Sequence, residues 1–318
     1  MLLKATVTEC WTHADGASPS FVEGINALGT TMPLDIRAAL AQPDPDLTSK
    51  MQALADRGLG LATWVRLKDP DQSRHEKAPT SMEKDDGIAL VLAAAGTSAS
   101  RALRKRYLRL GAEFMTAPGF IPETEEDGMF EFYEALATAV RAQEPDLCLV
   151  SGAFTATGLL LRTTGLDDEQ THKRSMGIRM LNLTKTHLDA ISVHSGSQNA
   201  TDFNSTIDNA VRAGEALSAL SGKRLIIDEG GIVDWADRTD VRGAISELRR
   251  IVRCARKWGA ELFAARPSSP EPTADPDDAE RFTWTAYQDE NGDPEQPWYD
   301  AWEDECICAR KSLGFEVI

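Results

Sequence analysis

A chain of 318 residues that is 42% hydrophobic is long for one ordinary domain and normal for a single α/β barrel. Its formal net charge of -16 repels nucleic-acid backbones, and no basic face is visible to offset it: the short Arg101–Arg109 run reads as the solvated side of an amphipathic helix. No apolar run reaches the length of a membrane span, and five cysteines without Cys-x-x-Cys spacing argue against a disulfide framework or a zinc site.

The start, Met-Leu-Leu-Lys-Ala-Thr, lacks the order of basic, apolar and small residues of a signal peptide, so a cytoplasmic location is expected. Leu2–Thr8 reads as the first strand, Phe21–Leu28 as a short helical crossover and Thr31–Ile36 as the second strand. Asp46–Arg57 is a predicted helix stopped at Gly58-Leu-Gly, and Leu61–Leu67 is the third strand. A third helix lies within Asp86–Arg106, and Tyr107–Glu113 is the fourth strand. In Met129–Gln143, Phe130, Tyr133, Leu136, Ala137 and Val140 recur at helical spacing. Leu147–Ser151 then forms strand five, Ser175–Leu188 a helix and Ala190–His194 strand six. Thr206–Leu220 is helical, Arg224–Glu229 is strand seven and Val241–Trp258 a helix with an Ile245, Leu248, Val252, Ala255 stripe. Glu261–Ala265 is strand eight and Tyr299–Leu313 the closing helix.

Alternation of strand and helix forces parallel strands, because each helix carries the chain back across the sheet. Eight such units predict a single (β/α)8 TIM barrel over residues 1–318, with an open doubly wound sheet as the alternative. No Gly-x-Gly-x-x-Gly turn follows the first strand, so no dinucleotide cofactor is expected. Two loops are long. Residues 68–86 follow strand three; residues 266–298 follow strand eight and carry Trp284 and Tyr287, whose rings either stack on a sugar ligand or anchor the loop.

Candidate chemistry sits at strand ends. Arg224-Leu-Ile-Ile-Asp-Glu229-Gly-Gly231 runs three apolar residues into carboxylates and two glycines, and Tyr107-Leu-Arg-Leu-Gly-Ala-Glu113 ends in a second glutamate. His194 ends strand six. Asp35 and Arg37 follow strand two, where they contact ligand or form a structural pair. Asp228 points to the face opposite Glu229 by strand alternation, and Trp64 is expected to pack in the barrel. A metal centre is not expected, since His13, His194, Asp35 and Glu229 are scattered without ligand spacing; a serine nucleophile is excluded by the lack of a Gly-x-Ser-x-Gly elbow.

From residue 107 onward these motifs resemble the clan A glycoside hydrolases. Gly111-Ala112-Glu113 is similar to the clan's Gly-Asn-Glu, Ile227-Asp-Glu229-Gly to its nucleophile strand and Leu188–His194 to its strand six. Phe132–Asp146 resembles the helix after the acid/base strand, and the Asn291-Gly-Asp-Pro segment the approach to the last helix. The resemblance implies a (β/α)8 barrel, a carbohydrate substrate, no cofactor, Glu113 as acid/base and Glu229 as nucleophile. It departs at Ala112, which stands where the clan's asparagine bonds the sugar 2-hydroxyl. A second alignment sets Glu113-Phe-Met-Thr-Ala-Pro118 against Glu-Ile-Trp-Asn-Glu-Pro; it puts Thr116 and Ala117 at the Asn and Glu places and removes the acid/base. The first frame is preferred because Glu113 then ends a strand as Glu229 does. Two functions follow: a retaining hydrolase that needs paired carboxyls to protonate a poor leaving group and stabilise an oxocarbenium-like centre, or a non-catalytic barrel that binds carbohydrate or serves as a structural component. A virion or phage-tail setting, with an assembly partner, would suit an enzyme without a signal peptide.

Overall fold

The computed structural model describes residues 8–13, 26–71, 75–111, 113, 120–154, 160, 163–197, 214, 216–232, 241–265 and 298–317. Eight strands follow one another in chain order: β1 (Glu9–His13), β2 (Gly29–Asp35), β3 (Gly60–Arg66), β4 (Arg106–Leu110), β5 (Cys148–Val150), β6 (Ala190–Ser197), β7 (Arg224–Ile232) and β8 (Leu262–Ala265). Their order is that of a closed barrel, β1 through β8, with parallel pairing and helices between strands, so the chain has the (β/α)8 fold. The helices are α1 (Ile36–Ala41), α2 (Leu47–Asp56), α3 (Ser81–Ala95), α4 (Ser98–Ala102), α5 (Glu126–Gln143), α6 (Asp168–His187), α7 (216–221), α8 (Val241–Lys257) and α9 (Trp298–Leu313). None of them is long and apolar enough to cross a membrane.

Packing divides the chain into two compact units. The first holds residues 1–31, 193–215 and 225–318. Here β1 pairs with β8 from Glu9↔Leu262 to Thr12↔Ala265. The first strand among the described residues is therefore Glu9–His13; of the expected Leu2–Thr8, residues 2–7 lie outside the described residues and Thr8 is not in a strand. Burial explains the placement: Cys10 and Trp11 are wholly buried, and Glu9 joins the strand because its carboxylate accepts a 2.9 Å hydrogen bond from Trp11 Nε1. A buried apolar side chain of this size contributes about 1.5–3 kcal/mol, enough to choose the strand. Residues 21–25 of the expected Phe21–Leu28 crossover lie outside the described residues, and 26–28 are not helical. α8 buries Ile251, Val252 and Ala255, and α9 buries Trp302 against Phe263, ring centroids 5.9 Å apart. Arg310 of α9 donates to the Asn26 carbonyl at 2.8 Å, tying the closing helix to the segment before β2.

The second unit holds residues 32–192 and 216–224. α5 buries Phe130, Tyr133, Leu136, Ala137 and Val140, the face its periodicity predicted, with Phe132 buried in addition, and starts at Glu126. α3 and α6 both begin earlier than their apolar spacing suggests. Each is started by a capping box, Thr80 with Glu83 and Asp167 with Gln170, which satisfies backbone N–H groups that the first turn leaves open. The Arg101–Arg109 run is not one helix surface. α4 ends at Ala102, Arg106 opens β4, and Arg109 is buried with its guanidinium 4.5 Å from the centroid of the Trp64 ring. Arg101 and Arg106 converge on Glu144, with Nε to Oε1 at 3.1 Å and Nη1 to Oε2 at 3.0 Å.

Candidate active site

β7 enters the first unit as Leu225-Ile-Ile, all buried, and then carries Asp228 and Glu229. Strict alternation would send these two carboxylates to opposite faces. The pairing with β8 breaks that rule. Ile227 pairs Phe263 and Gly230 pairs Ala265, so three steps on β7 match two on β8. The extra residue is a β-bulge, which re-aims side chains at a strand end, and Gly230-Gly231 beside it have no side chains to resist the bend.

The bulge brings both carboxylates to His194, the fifth residue of β6. His194 Nε2 lies 3.4 Å from Asp228 Oδ1, and its Nδ1 lies 3.4 Å from Glu229 Oε2. The expectation that Asp228 faces away is thereby corrected. His194 and Asp228 are buried, whereas the Glu229 side chain keeps 13% of its surface exposed. Only the imidazolium form offers a donor to both carboxylates at once. The arrangement leaves Glu229 the most accessible member, held in place by a ring that Asp228 holds from the far side.

In the second unit β4 stops at Leu110, and the chain turns at Gly111 before Glu113. Gly111 N donates to the Val65 carbonyl at 2.8 Å, and its φ of +89° is left-handed. A side chain there would place its Cβ 2.6 Å from Tyr133 Oη. Tyr133 donates to Glu76 Oε2 at 2.8 Å; burial, then the Glu76 charge, pushes its phenol well above the usual range. Arg109 Nε donates to the Gly111 carbonyl at 3.2 Å. Buried side chains therefore dictate the turn that presents Glu113, which is half-buried. Ala112 and the Thr116-Ala117 pair of the second alignment lie outside the described residues.

Asp35 and Arg37 are engaged in structure. Asp35 accepts from Ala38 N at 3.3 Å, capping α1, and its other oxygen lies 3.8 Å from Arg66 Nε. Arg37 binds Glu83 at 2.9 Å and donates to the Leu67, Lys68 and Ala78 carbonyls. It thereby clamps both ends of the segment after β3, the first part of the predicted long loop. Trp64 is buried, in the packing role expected of it. Trp284 and Tyr287 lie outside the described residues.

No family model matches the chain, and no curated protein is similar to it. Solved structures are similar in fold. An exo-β-1,4-mannosidase from Opitutaceae bacterium strain TAV5 superposes with a TM-score of 0.64 at 13% identity, over 96% of this chain and 60% of its own. A glucosidase from Croceicoccus marinus gives 0.65 at 10% identity, over 96% and 68%. Xylanase 10B from Thermotoga petrophila, solved with xylobiose, gives 0.61 at 10% identity, over 95% of each chain. This chain thus spans less than two thirds of the mannosidase but nearly the whole of the xylanase, and at these identities the likeness is one of fold.

Proposed function

We propose that this protein is a retaining glycoside hydrolase in which Glu229 is the nucleophile and Glu113 the acid/base. The observation that carries the reading is the Glu229–His194–Asp228 array at the bulged end of β7. It stands in a barrel whose fold neighbours include enzymes named mannosidase, glucosidase and xylanase. In a closed parallel barrel the C-terminal strand ends share one face, where such enzymes do their chemistry. Retaining chemistry needs two carboxyls about 5–5.5 Å apart, and this reading assigns them to the residues that follow β4 and end the apolar run of β7.

The steps follow from that pair. Glu229 attacks the anomeric carbon while the Glu113 carboxyl protonates the departing oxygen, so the glycosidic bond breaks as a glycosyl ester forms. Water then attacks the anomeric carbon, Glu113 takes its proton, and the bond to Glu229 breaks with its carboxylate as the leaving group. His194 fixes the rotamer of Glu229. The barrel is read as running through the whole chain, with 266–298 as the substrate loop that brings Trp284 and Tyr287 to the sugar.

Ala112 favours a second reading, a barrel that binds an oligosaccharide without cleaving it, because alanine cannot hold the sugar 2-hydroxyl. A panel of aryl glycosides separates the two. Turnover by the wild type that Glu229→Ala removes supports the hydrolase; an oligosaccharide that binds but is never cleaved supports the binding protein.

A further inference from the structure

No basic face is expected from the Arg101–Arg109 run, yet α8 presents one. α8 carries Arg242, Arg249, Arg250, Arg253, Arg256 and Lys257 against a single acid, Glu247. Its opposite stripe, Leu248, Ile251, Val252 and Ala255, is buried in the first unit. Arg242, Arg249, Arg253 and Arg256 follow one another by seven, four and three residues, which puts all four on one face of the helix. These four line a cleft of about 490 Å³, with Ile245 as an apolar patch and Glu305 of α9 on its wall. That volume is in the range of sites for small molecules, about 300–1,000 Å³.

α9 neutralises half of the row. Arg249 Nη2 lies 3.0 Å from Asp304 Oδ2, and Arg256 Nη2 lies 2.9 Å from Glu305 Oε2. Arg253 spends its Nε on the Arg249 carbonyl at 3.1 Å, which aims the rest of its guanidinium while leaving the charge unmatched. Among the described residues neither Arg253 nor Arg242 has a carboxylate partner. Four like charges on one helix face repel one another by a few tenths of a kcal/mol per neighbouring pair. An anion in the cleft reverses that cost.

We infer that this cleft binds a compact anion carrying at least two adjacent oxyanion groups, held by the guanidinium forks of Arg253 and Arg242. Arginine forks match phosphate, sulfate and carboxylate in two-point contacts, which lysine cannot do. Two observations favour a compact ligand over a nucleic-acid strand. The net charge of -16 repels a long polyanion. Glu305 of α9 lines the cleft and Asp304 sits on Arg249 at its edge, so anionic ligand extending past it meets like charge. The site is independent of the glycosidase reading and survives its failure.

Calorimetric titration of the full chain with inorganic pyrophosphate, sulfate and citrate at matched ionic strength tests this, with a 20-base-pair DNA duplex as the competing ligand. Pyrophosphate or citrate should bind saturably at one site and more tightly than sulfate, which carries a single oxyanion group, and the tighter of the two names the oxyanion class. Arg253→Gln should weaken it at least tenfold, Arg253→Lys should restore only part of the loss, and Arg250→Gln, off the cleft face, should leave it unchanged. Circular dichroism confirms that the variants are folded. The proposal is overturned if neither pyrophosphate nor citrate binds saturably, if sulfate binds as tightly as both, if Arg253→Gln binds as the wild type does, if Arg250→Gln weakens binding equally, or if the duplex binds more tightly than every small anion.

Discussion

His194 Nδ1 stands 3.4 Å from Glu229 Oε2, a contact that joins the end of β6 to the bulged end of β7. On its far side the same ring meets Asp228 Oδ1, also at 3.4 Å. Glu229→Ala is expected to lower kcat/KM on aryl glycosides by about 10⁴-fold, the scale seen when a covalent nucleophile is removed. Asp228→Asn preserves shape and removes the charge that steadies the ring, so kcat should fall on the order of tenfold with KM little changed. Steady-state kinetics check both, and full activity in Glu229→Ala would reject β7 as the nucleophile strand.

Glu113→Gln should slow substrates with poor leaving groups far more than activated ones, because only the former need a proton from the acid. A plot of log kcat/KM against leaving-group pKa should steepen in the variant. Ala112→Asn should leave turnover unchanged or raise it, since a 2-hydroxyl contact strengthens in the transition state. An unchanged slope in Glu113→Gln would move the acid/base elsewhere and leave Glu229 standing alone.

Gly111 and Tyr133 should be coupled. Gly111→Ala forces a left-handed alanine whose Cβ would lie 2.6 Å from Tyr133 Oη, and should cost about 1–3 kcal/mol from backbone strain plus the contact. Tyr133→Phe removes a donor from Glu76, which is 1% exposed, and should cost about 1–3 kcal/mol. The phenylalanine also deletes the oxygen that the new Cβ meets. Urea unfolding of both single variants and the double variant should therefore show less than additive loss, whereas strict additivity would mean that the turn is not shaped by Tyr133.

Acid stability should report on Glu144. Hydrogen bonds from Arg101, foremost, and then from Arg106 hold its carboxyl below the ordinary glutamate value of about 4.3. The folded state therefore binds this proton less readily than the unfolded chain does. The stabilisation is complete above that value and is lost as pH falls through the lower folded one. Glu83, lowered first by its hydrogen bond with Arg37, acts in the same direction. Between pH 6 and pH 3 the melting temperature should fall, and Glu144→Gln should be less stable at pH 6 but should lose less on acidification. Equal acid slopes in the two proteins would remove Glu144 from the account.

Much of this protein is written in its local sequence. Tyr133, Leu136 and Val140 recur at the period that buries a helix face, and the run into Glu229 is apolar up to the carboxylates. Alternation of such units implies parallel strands, since a helix between strands carries the chain back, whereas closure into a barrel rests on the pairing of β1 with β8. The starts of α3 and α6 were also legible, in Thr80-x-x-Glu83 and Asp167-x-x-Gln170, but apolar spacing alone passes over a cap because capping residues are polar.

Other features arise only when distant segments meet. Glu9–His13 is held as β1 by pairing with β8 and by the burial of Trp11, neither of which leaves a mark in local periodicity. The β7 bulge depends on register against Phe263 and Ala265, and one added residue carries Asp228 from the face that alternation assigns it to the ring of His194. The arginine face of α8 was present in the letters, but its four cleft residues became a site only where α9 supplied the second wall. Backbone propensity and hydrophobic period act between neighbours in sequence and determine the elements. Register, burial and charge pairing act between residues far apart in the chain, and only the folded structure decides them.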